Sequence, residues 1–483
     1  MFPRTLVADL AGILGRDKVT AEPESLDRYS VDGWGVALKW AQAGRRPFRP
    51  DVVVTPAATS EVSAVLRYAS AAGVPVTARG LGSSVTGQPL PCEGGIVLET
   101  SSLTAPLDIC AKDFLVTTGA GRRGSELESA VQAEGFTLGH SPQSLHLSSV
   151  GGWLATRATG QFSSLYGGIE NLVIGMKVVL ANGSEVKVQA LPRSAFGPDL
   201  RALFIGAEGT LGIITEVTLK LFRAADTRTY QAFSLSSVAN GLKALRRIMQ
   251  TGLQPLLLRL YDENESRRIA GEDFDGCLLL TADSGKDGDA LAEHVMVHDL
   301  VTNSGGTTLG PGLAEAWMSQ RFDYSAIGSL IGSDGMYAET IEVAHSWSKI
   351  GDLYEALKKE LAPLTDSVQA HFSHAYPQGS SLYMIVTGEA SSNEDAARRL
   401  EEIWDAAMQC TLRLGGVLSH HHGAGIARAK YSKQALGSSF EVLQSVKAAL
   451  DPKGILNPGK LGLGTLNGPA ERPYDVRTDR PGR

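Results

Sequence analysis

From Pro50 to about residue 140 the chain alternates short β-branched runs with amphipathic stretches. DVVVTPA reads as a strand, Ser60 stands where it would cap EVSAVLRYASAAG as a helix, and VPVTARG reads as the next strand. IVLET, FLVTTGA, the helical SELESAVQAEG and GFTLG continue the alternation, which predicts an α/β arrangement. In NLVIGMKVVLANGSEVKV the pair Asn182-Gly183 is a hairpin signal, and GIITEVTLKLF predicts a further strand. Near Arg223 the pattern changes. From 224 to 410 longer helical stretches (SVANGLKALRRIMQTG, NEDAARRLEEIWDAAMQC) separate isolated strands such as CLLLTA and SLYMIVTGEA, which predicts a separate α+β unit. VLQSVKAALDPKGILNPGKL predicts a last helix closed by a Pro/Gly turn, and the polar segment from 464 to 483 reads as a mobile tail. At the other end MFPRTLVADLAGILG, interrupted by Asp9, predicts an amphipathic helix rather than a signal peptide.

Composition narrows the class. A chain of 483 residues with 43% hydrophobic and 20% charged positions has the make-up of a folded globular protein, with room for about three folding units. Its formal charge of −7 is spread without a basic stripe, which argues against nucleic acid as a partner. Cys92, Cys110, Cys277 and Cys410 form no close pair, so neither a disulfide frame nor a zinc site is expected. No apolar run approaches the ~18 residues of a membrane span. A cytoplasmic location follows as the expectation, with a small molecule as partner; a homodimer is compatible with the chain.

Glycine is the outlier, at 54 residues or about 11% against a usual ~7%. Three clusters hold much of the excess. The first is Arg79-Gly80-Leu81-Gly82-Ser83-Ser84, after the strand VPVTA. The second is Ser148-Ser149-Val150-Gly151-Gly152-Trp153-Leu154-Ala155-Thr156, running on to Tyr166-Gly167-Gly168. The third is Gly206-Ala207-Glu208-Gly209-Thr210-Leu211-Gly212-Ile213-Ile214. Small residues let amide groups line a concave surface that suits phosphate oxygens. A single such loop is commonly just a turn; three beside predicted strands favour a long ligand such as a dinucleotide. Gly119-Ala120-Gly121-Arg122-Arg123-Gly124 matches GxGxxG, but the next stretch lacks the acidic residue a nicotinamide-binding unit would place about 20 positions on. It reads as a strand-to-helix turn.

At these loops the chain resembles flavoproteins of the vanillyl-alcohol oxidase / p-cresol methylhydroxylase (PCMH) type. RGLGSS is similar to their pyrophosphate loop, HSPQSLHLSSVGGWLATRATG to the wall along the flavin, and GAEGTLGIITEVTLKL to the adenine and ribose side. The resemblance implies FAD, with Arg79, Gly80, Gly82, Ser83, Ser84, Pro142, Ser149, Gly151, Gly152, Thr156, Glu208, Gly209 and Ile214 as contacts. It implies an α+β fold: a two-part PCMH-type FAD-binding domain over 1–223, an α+β cap (substrate) domain over 224–410, and a C-terminal segment over 411–463 returning to the flavin. Within that family the likeness is to alkylglycerone-phosphate synthases. It rests on SSVGGWLATRATG, GMYAET, Ala375-Tyr376-Pro377-Gln378-Gly379 read as an aromatic strand, and Ser419-His420-His421-His422-Gly423-Ala424-Gly425.

Three consecutive histidines have three readings: a solvated or structural cluster, a metal site, or proton handling at a substrate. Consecutive side chains diverge, and no helper residue stands at a regular spacing, so no metal is expected. The flavin context favours the third reading. Taking a hydride from a hydroxyl-bearing carbon requires removal of the hydroxyl proton, and an imidazole with pKa near 7 suits that task. His421 or His422 is the expected base, Tyr376 the proton relay, and Arg321 and Glu339 shape the pocket. His371, His374, Arg428 and Lys430 are further candidates for holding an anion. One departure matters: where the synthases carry an arginine some seven residues before GMYAET, this chain reads Ala326-Ile327-Gly328-Ser329. A glycine cannot replace a fixed bidentate charge. The expectation is an FAD-dependent oxidoreductase acting on a small, hydroxylated, anionic molecule such as a 2-hydroxy acid, with a synthase-like acyl-for-alkyl exchange as the alternative.

Overall fold

The computed structural model describes residues 5–285 and 288–464; the tail expected over 464–483 lies, apart from Gly464, outside the described residues. Val52–Val54, Ile96–Glu99 and Val76–Arg79 form a parallel sheet with Ile96–Glu99 in the middle, and Val19–Thr20 adds an antiparallel edge. Parallel strands covered on both faces read as unbroken apolar runs, as VVV does here. Helices Leu6–Leu14 and Thr59–Ala72 share one apolar core with this sheet through Leu10, Val62, Leu66, Val52 and Ile96. Ser60 does not cap the second helix. It lies in the first turn, and Glu61 instead accepts the Ala57 amide at 2.8 Å.

The α/β alternation does not continue. Leu107–Cys110, Leu115–Gly119, Ile213–Lys220, Val173–Val179 and Glu185–Val188 make a purely antiparallel five-stranded sheet, in that order. Its last hairpin turns at Asn182-Gly183, where Gly183 takes φ +81°. The GxGxxG turn packs backbone on backbone. A Cβ on Gly119 would collide with the Leu103 carbonyl, and one on Gly121 with that of Thr100.

The strands after residue 224 are not isolated. They pair into one antiparallel seven-stranded sheet in the order Thr307–Gly310, Thr227–Leu235, Cys277–Gly285, Leu257–Tyr261, Ser367–Phe372, Gly379–Glu389, Met336–Ser346. Helix Asn393–Arg413 passes the expected end at Cys410 and buries Leu400, Ile403, Trp404 and Met408 along one face. At roughly 1.5–3 kcal/mol per large apolar side chain that face holds the helix down. The N-terminal helix Gly35–Gln42 packs against it, so Trp34 and Trp40 belong to the core of the seven-stranded sheet. Tyr376 lies on the turn joining Ser367–Phe372 to Gly379–Glu389, where its amide donates to the Gly379 carbonyl at 2.8 Å; it is not a strand residue. Among the described residues no helix is long and apolar enough to cross a membrane.

Candidate active site

The three glycine clusters and the seven-stranded sheet face each other across one cavity of about 1270 Å³. That exceeds the ~300–1,000 Å³ usual for a drug-sized ligand, leaving room for a dinucleotide and a small substrate together. Every expected cofactor contact except Arg79 lines it. Among the described residues the amides of Leu81, Gly82, Ser83, Ser84 and Val85 donate to no protein acceptor, so a row of N–H groups is left for a ligand. The donor set fits a pyrophosphate. Gly82 takes φ +74°, and a Cβ on Gly80 would strike the Ser149 hydroxyl. Ser149 in turn caps helix Val150–Thr156.

The Arg79 side chain turns under this loop, donating to the Val31 carbonyl at 3.0 Å and lying 5.3 Å over the Tyr29 ring. Backbone dipoles rather than its charge meet the cavity. Asp32 props the loop by accepting the amides of Trp34 (3.1 Å) and Gly87 (2.9 Å), and burial raises its pKa to about 6. Glu208 has a similar supporting role. Its buried carboxylate accepts the amides of Ala424 (2.5 Å) and Gly425 (2.9 Å), tying the third glycine cluster to the turn after the histidines. Burial nonetheless pushes its pKa up.

The histidine run is held by a residue the sequence reading missed. Oε1 of the fully buried Glu342 accepts the Ser419 hydroxyl (2.7 Å) and the amides of His421 (3.1 Å) and His422 (2.7 Å). Oε2 of Glu342 meets the Arg428 guanidinium and lies 3.3 Å from Nδ1 of His422. Burial would raise this carboxyl, but Arg428 and then His422 overcome it and hold the pKa well below the ordinary value. Arg428 therefore serves the scaffold and is not available to an anion. Lys430 also lies outside the cavity, paired with Asp405. The available signal for Glu342 was a second acidic residue in the otherwise apolar run MYAETIEVA.

His421 and His422 line the cavity; Tyr376 and His420 do not. Tyr376 Oη lies 2.8 Å from His420 Nε2, and His420 Nδ1 lies 2.9 Å from His421 Nδ1, so the tyrosine reaches the cavity only through two imidazoles. Burial raises the Tyr376 phenol, with Ser163 and Thr159 as further partners. His374 stacks on His420 with ring centroids 5.0 Å apart and shares a 2.7 Å hydrogen bond with Ser163 Oγ. No regular spacing marks a helper in the sequence, yet the fold brings His374 beside the run: nitrogens of His374, His420 and His421 lie within 4.8 Å of one another, close enough to hold a cation as well as a proton. A resting pKa near 7 is corrected. Burial lowers His420 to about 4, and burial followed by the neighbouring imidazoles takes His421 and His374 well below the usual value.

Arg321 and Glu339 line the same cavity. Arg321 donates to the Met318 carbonyl at 2.7 Å and lies 4.2 Å over the Phe322 ring, leaving its buried Nε without a partner. Glu339 accepts the Thr340 amide (2.9 Å) and Trp404 Nε1 (3.1 Å), and burial raises its pKa to about 7. Gly328 also lines the cavity, and a Cβ there would meet nothing within 4 Å.

Residues 225–461 match the family model described as FAD linked oxidases, C-terminal domain, and residues 50–189 match the FAD binding domain. The uncharacterised FAD-linked oxidoreductase YgcU of Escherichia coli (strain K12) is 31% identical over 480 residues, covering 94% of this chain and 98% of its own. Alkyldihydroxyacetonephosphate synthase of Dictyostelium discoideum is 27% identical, covering 85% of this chain and 73% of its own. Glycolate oxidase subunit GlcD of Bacillus subtilis (strain 168) is also 27% identical, over 85% and 89%. In fold, the solved structure of p-cresol methylhydroxylase with substrate bound aligns with a TM-score of 0.80 at 16% identity, over 96% of this chain and 97% of that one.

Proposed function

Because the chain belongs to the FAD-linked oxidoreductases of the vanillyl-alcohol oxidase / PCMH type, with FAD as its cofactor, we propose that it removes a hydride from a small, hydroxylated, anionic substrate such as a 2-hydroxy acid. FAD supplies the two-electron acceptor. Gly80, Gly82, Ser83 and Ser84 hold its pyrophosphate through backbone amides, with Pro142, Ser149, Gly151, Gly152, Thr156, Glu208, Gly209 and Ile214 forming the remaining walls.

The observation carrying this reading is the hydrogen-bonded line His421–His420–Tyr376 running back from the cavity. The hydroxyl proton moves to the free Nε2 of His421. His421 Nδ1–H then passes to His420 Nδ1, and His420 Nε2–H to the Tyr376 oxygen as the phenol proton leaves toward Ser163 or Thr159. A single imidazole held neutral by burial is a weak base. A line of them spreads the proton, and an anionic substrate beside His421 raises its pKa back toward working pH. Tyr376 is accordingly a positioning and relay group rather than one that touches substrate. Arg321 contributes positive potential, while His422, fixed by Glu342, and Glu339 close the wall beside it. The resemblance to glycolate oxidase subunit GlcD supports a 2-hydroxy acid as the substrate class. Open space at Gly328, where the synthase-type arginine is missing, weighs against acyl-for-alkyl exchange. The described cysteines are free thiols, which supports a cytoplasmic setting.

An anaerobic titration tests the proposal. A 2-hydroxy acid from a panel should bleach the flavin absorbance stoichiometrically. An oxidised flavin throughout, with fatty acid released from an acylated dihydroxyacetone phosphate, would replace this reading with the synthase one.

A further inference from the structure

We propose that Arg259 is the principal anchor for the substrate's oxyanion group, a carboxylate or a phosphate, and that Glu265 and His371 are positioning residues that aim it. This rests on the reading of the cavity as the site of an anionic substrate.

Arg259 stands on the cap strand Leu257–Tyr261 and lines the cavity with Arg321, Trp317, His371 and Glu265. Its Nε donates to the Tyr261 hydroxyl at 2.7 Å and its Nη2 lies 2.8 Å from His371 Nε2. A guanidinium only donates, so His371 Nε2 is the acceptor and the ring carries its proton on Nδ1. That proton points to Glu265 Oε2, 2.8 Å away. The other carboxylate oxygen accepts Arg268 Nη2 at 3.1 Å. The resulting line Glu265–His371–Arg259 fixes the imidazole tautomer and the guanidinium plane, as second-layer partners fix metal-binding histidines.

The charges do not cancel at the cavity wall. Glu265 is paired with Arg268 and reaches Arg259 only through the His371 ring, and burial followed by Arg259 itself lowers His371 to about 4. Among the described residues neither Arg259 nor Arg321 has a salt bridge. Trp317 and Arg321 lie four residues apart at the end of helix Gly312–Gln320, and the Arg259 guanidinium lies 5.5 Å from the Trp317 ring. The Arg321 guanidinium lies instead over the Phe162 and Phe322 rings, so both cations rest on aromatic faces with no carboxylate at salt-bridge distance among the described residues. Partly buried charge left in this state is costly, and a ligand oxyanion that takes the free Nη donors relieves it. With Gly328 lacking a side chain, Arg259 supplies a bidentate cation to the same cavity.

The test uses FAD-loaded protein and two unreactive anions, oxalate and inorganic phosphate, with binding followed by calorimetry and by the visible flavin spectrum. Arg259→Met should weaken the better-bound anion at least ~30-fold with flavin content unchanged. Arg259→Lys should recover only part of the loss, since the fork is gone. His371→Gln should weaken binding several-fold in the wild-type background and have little effect in Arg259→Met, the signature of one acting through the other. Preference for oxalate assigns a carboxylate, and preference for phosphate a phosphate ester. Unchanged binding in Arg259→Met, or no binding of either anion to the unaltered protein, would overturn the proposal. Flavin bleaching by hydroxy acids is a separate readout, so the oxidoreductase reading can fail while Arg259-dependent binding stands.

Discussion

Glu342 and Arg428 form a fully buried ion pair directly beneath the three histidines, and the same carboxylate takes the amides of His421 and His422. The pair acts as a clamp, joining the strand Met336–Ser346 to the turn that carries the proposed base. Removing one member of a buried pair strands the other, at a cost of roughly 3–5 kcal/mol. Glu342→Gln should therefore lower the unfolding free energy by about that amount and reduce kcat/KM by ~100-fold or more. Flavin content should hold, because the glycine loops are untouched. Denaturant unfolding and the absorbance ratio of purified protein check both parts.

The buried histidines should make acid costly well above the carboxylate range. His420 and His371 are lowered to about 4 and His140 to about 3, in each case mainly by burial, against an ordinary value near 6.5. The unfolded chain thus binds protons that the folded chain refuses. The stability these groups contribute is fully present above pH 6.5 and is lost as pH falls toward 4, at ~1.4 kcal/mol per pH unit for each. The buried carboxyls of Asp32 and Glu339, raised to about 6 and about 7, pull the other way and gain stability as pH falls, so the histidine contribution is read as a difference between two proteins. His140 has both ring nitrogens without partners and packs 4.6 Å from Trp153. His140→Phe keeps an aromatic ring there and removes a proton site, so its Tm should fall less between pH 7 and 5. Equal losses in both proteins would contradict this account.

Legibility of the sequence followed the range of each interaction. The cofactor loops were visible because positive φ and close backbone approach select glycine locally, as at Gly82 and Gly209. The histidine run was visible as a rare string. Glu342 and Arg259 were not, because each is a charged residue in a mainly apolar strand and its meaning depends on partners about 80 and 110 residues away. The seven-stranded sheet was hidden for the same reason: each strand was legible, but its neighbour is set by long-range packing. Tyr376 was placed in the wrong element because Tyr-Pro-Gln-Gly carries both aromatic and turn character, and the Pro/Gly chemistry won.

Gly82→Val should give a folded protein without flavin. A β-branched side chain at φ +74° is strained, and its Cβ would meet the Arg79 guanidinium folded beneath the loop. Relief requires the loop to move, which takes its amides off the pyrophosphate. The purified variant should be colourless, with far-UV circular dichroism unchanged. A yellow variant with normal flavin content would show that the loop is not the phosphate cradle.

Gly328→Arg restores a guanidinium where the synthase-like relatives would place one. A Cβ is accommodated without contact, and helix Ser325–Gly332 gains a better helix former than glycine. The variant should fold and keep its flavin. Its added charge facing an anion already held by Arg259 should lower the KM for hydroxy acids severalfold, with kcat steady or reduced. A raised KM would mean that the substrate already fills this space.

The proton line makes the most demanding prediction, because it separates a group that touches substrate from one that acts behind it. His421→Gln removes the acceptor at the cavity and should lower kcat by ~100–10,000-fold. Tyr376→Phe leaves His421 and His420 in place and removes only the far end, so its loss should be smaller, about 10-fold, with KM unchanged. Its signature should lie in the pH profile. Without the acceptor for His420 Nε2–H, the protonated imidazole pair that burial already disfavours loses a partner, so the acid limb of kcat should shift to lower pH and its solvent isotope effect should rise. If Tyr376→Phe leaves the profile and the isotope effect unaltered, the hydrogen bond to His420 is structural, and the proton leaves the cavity by another route.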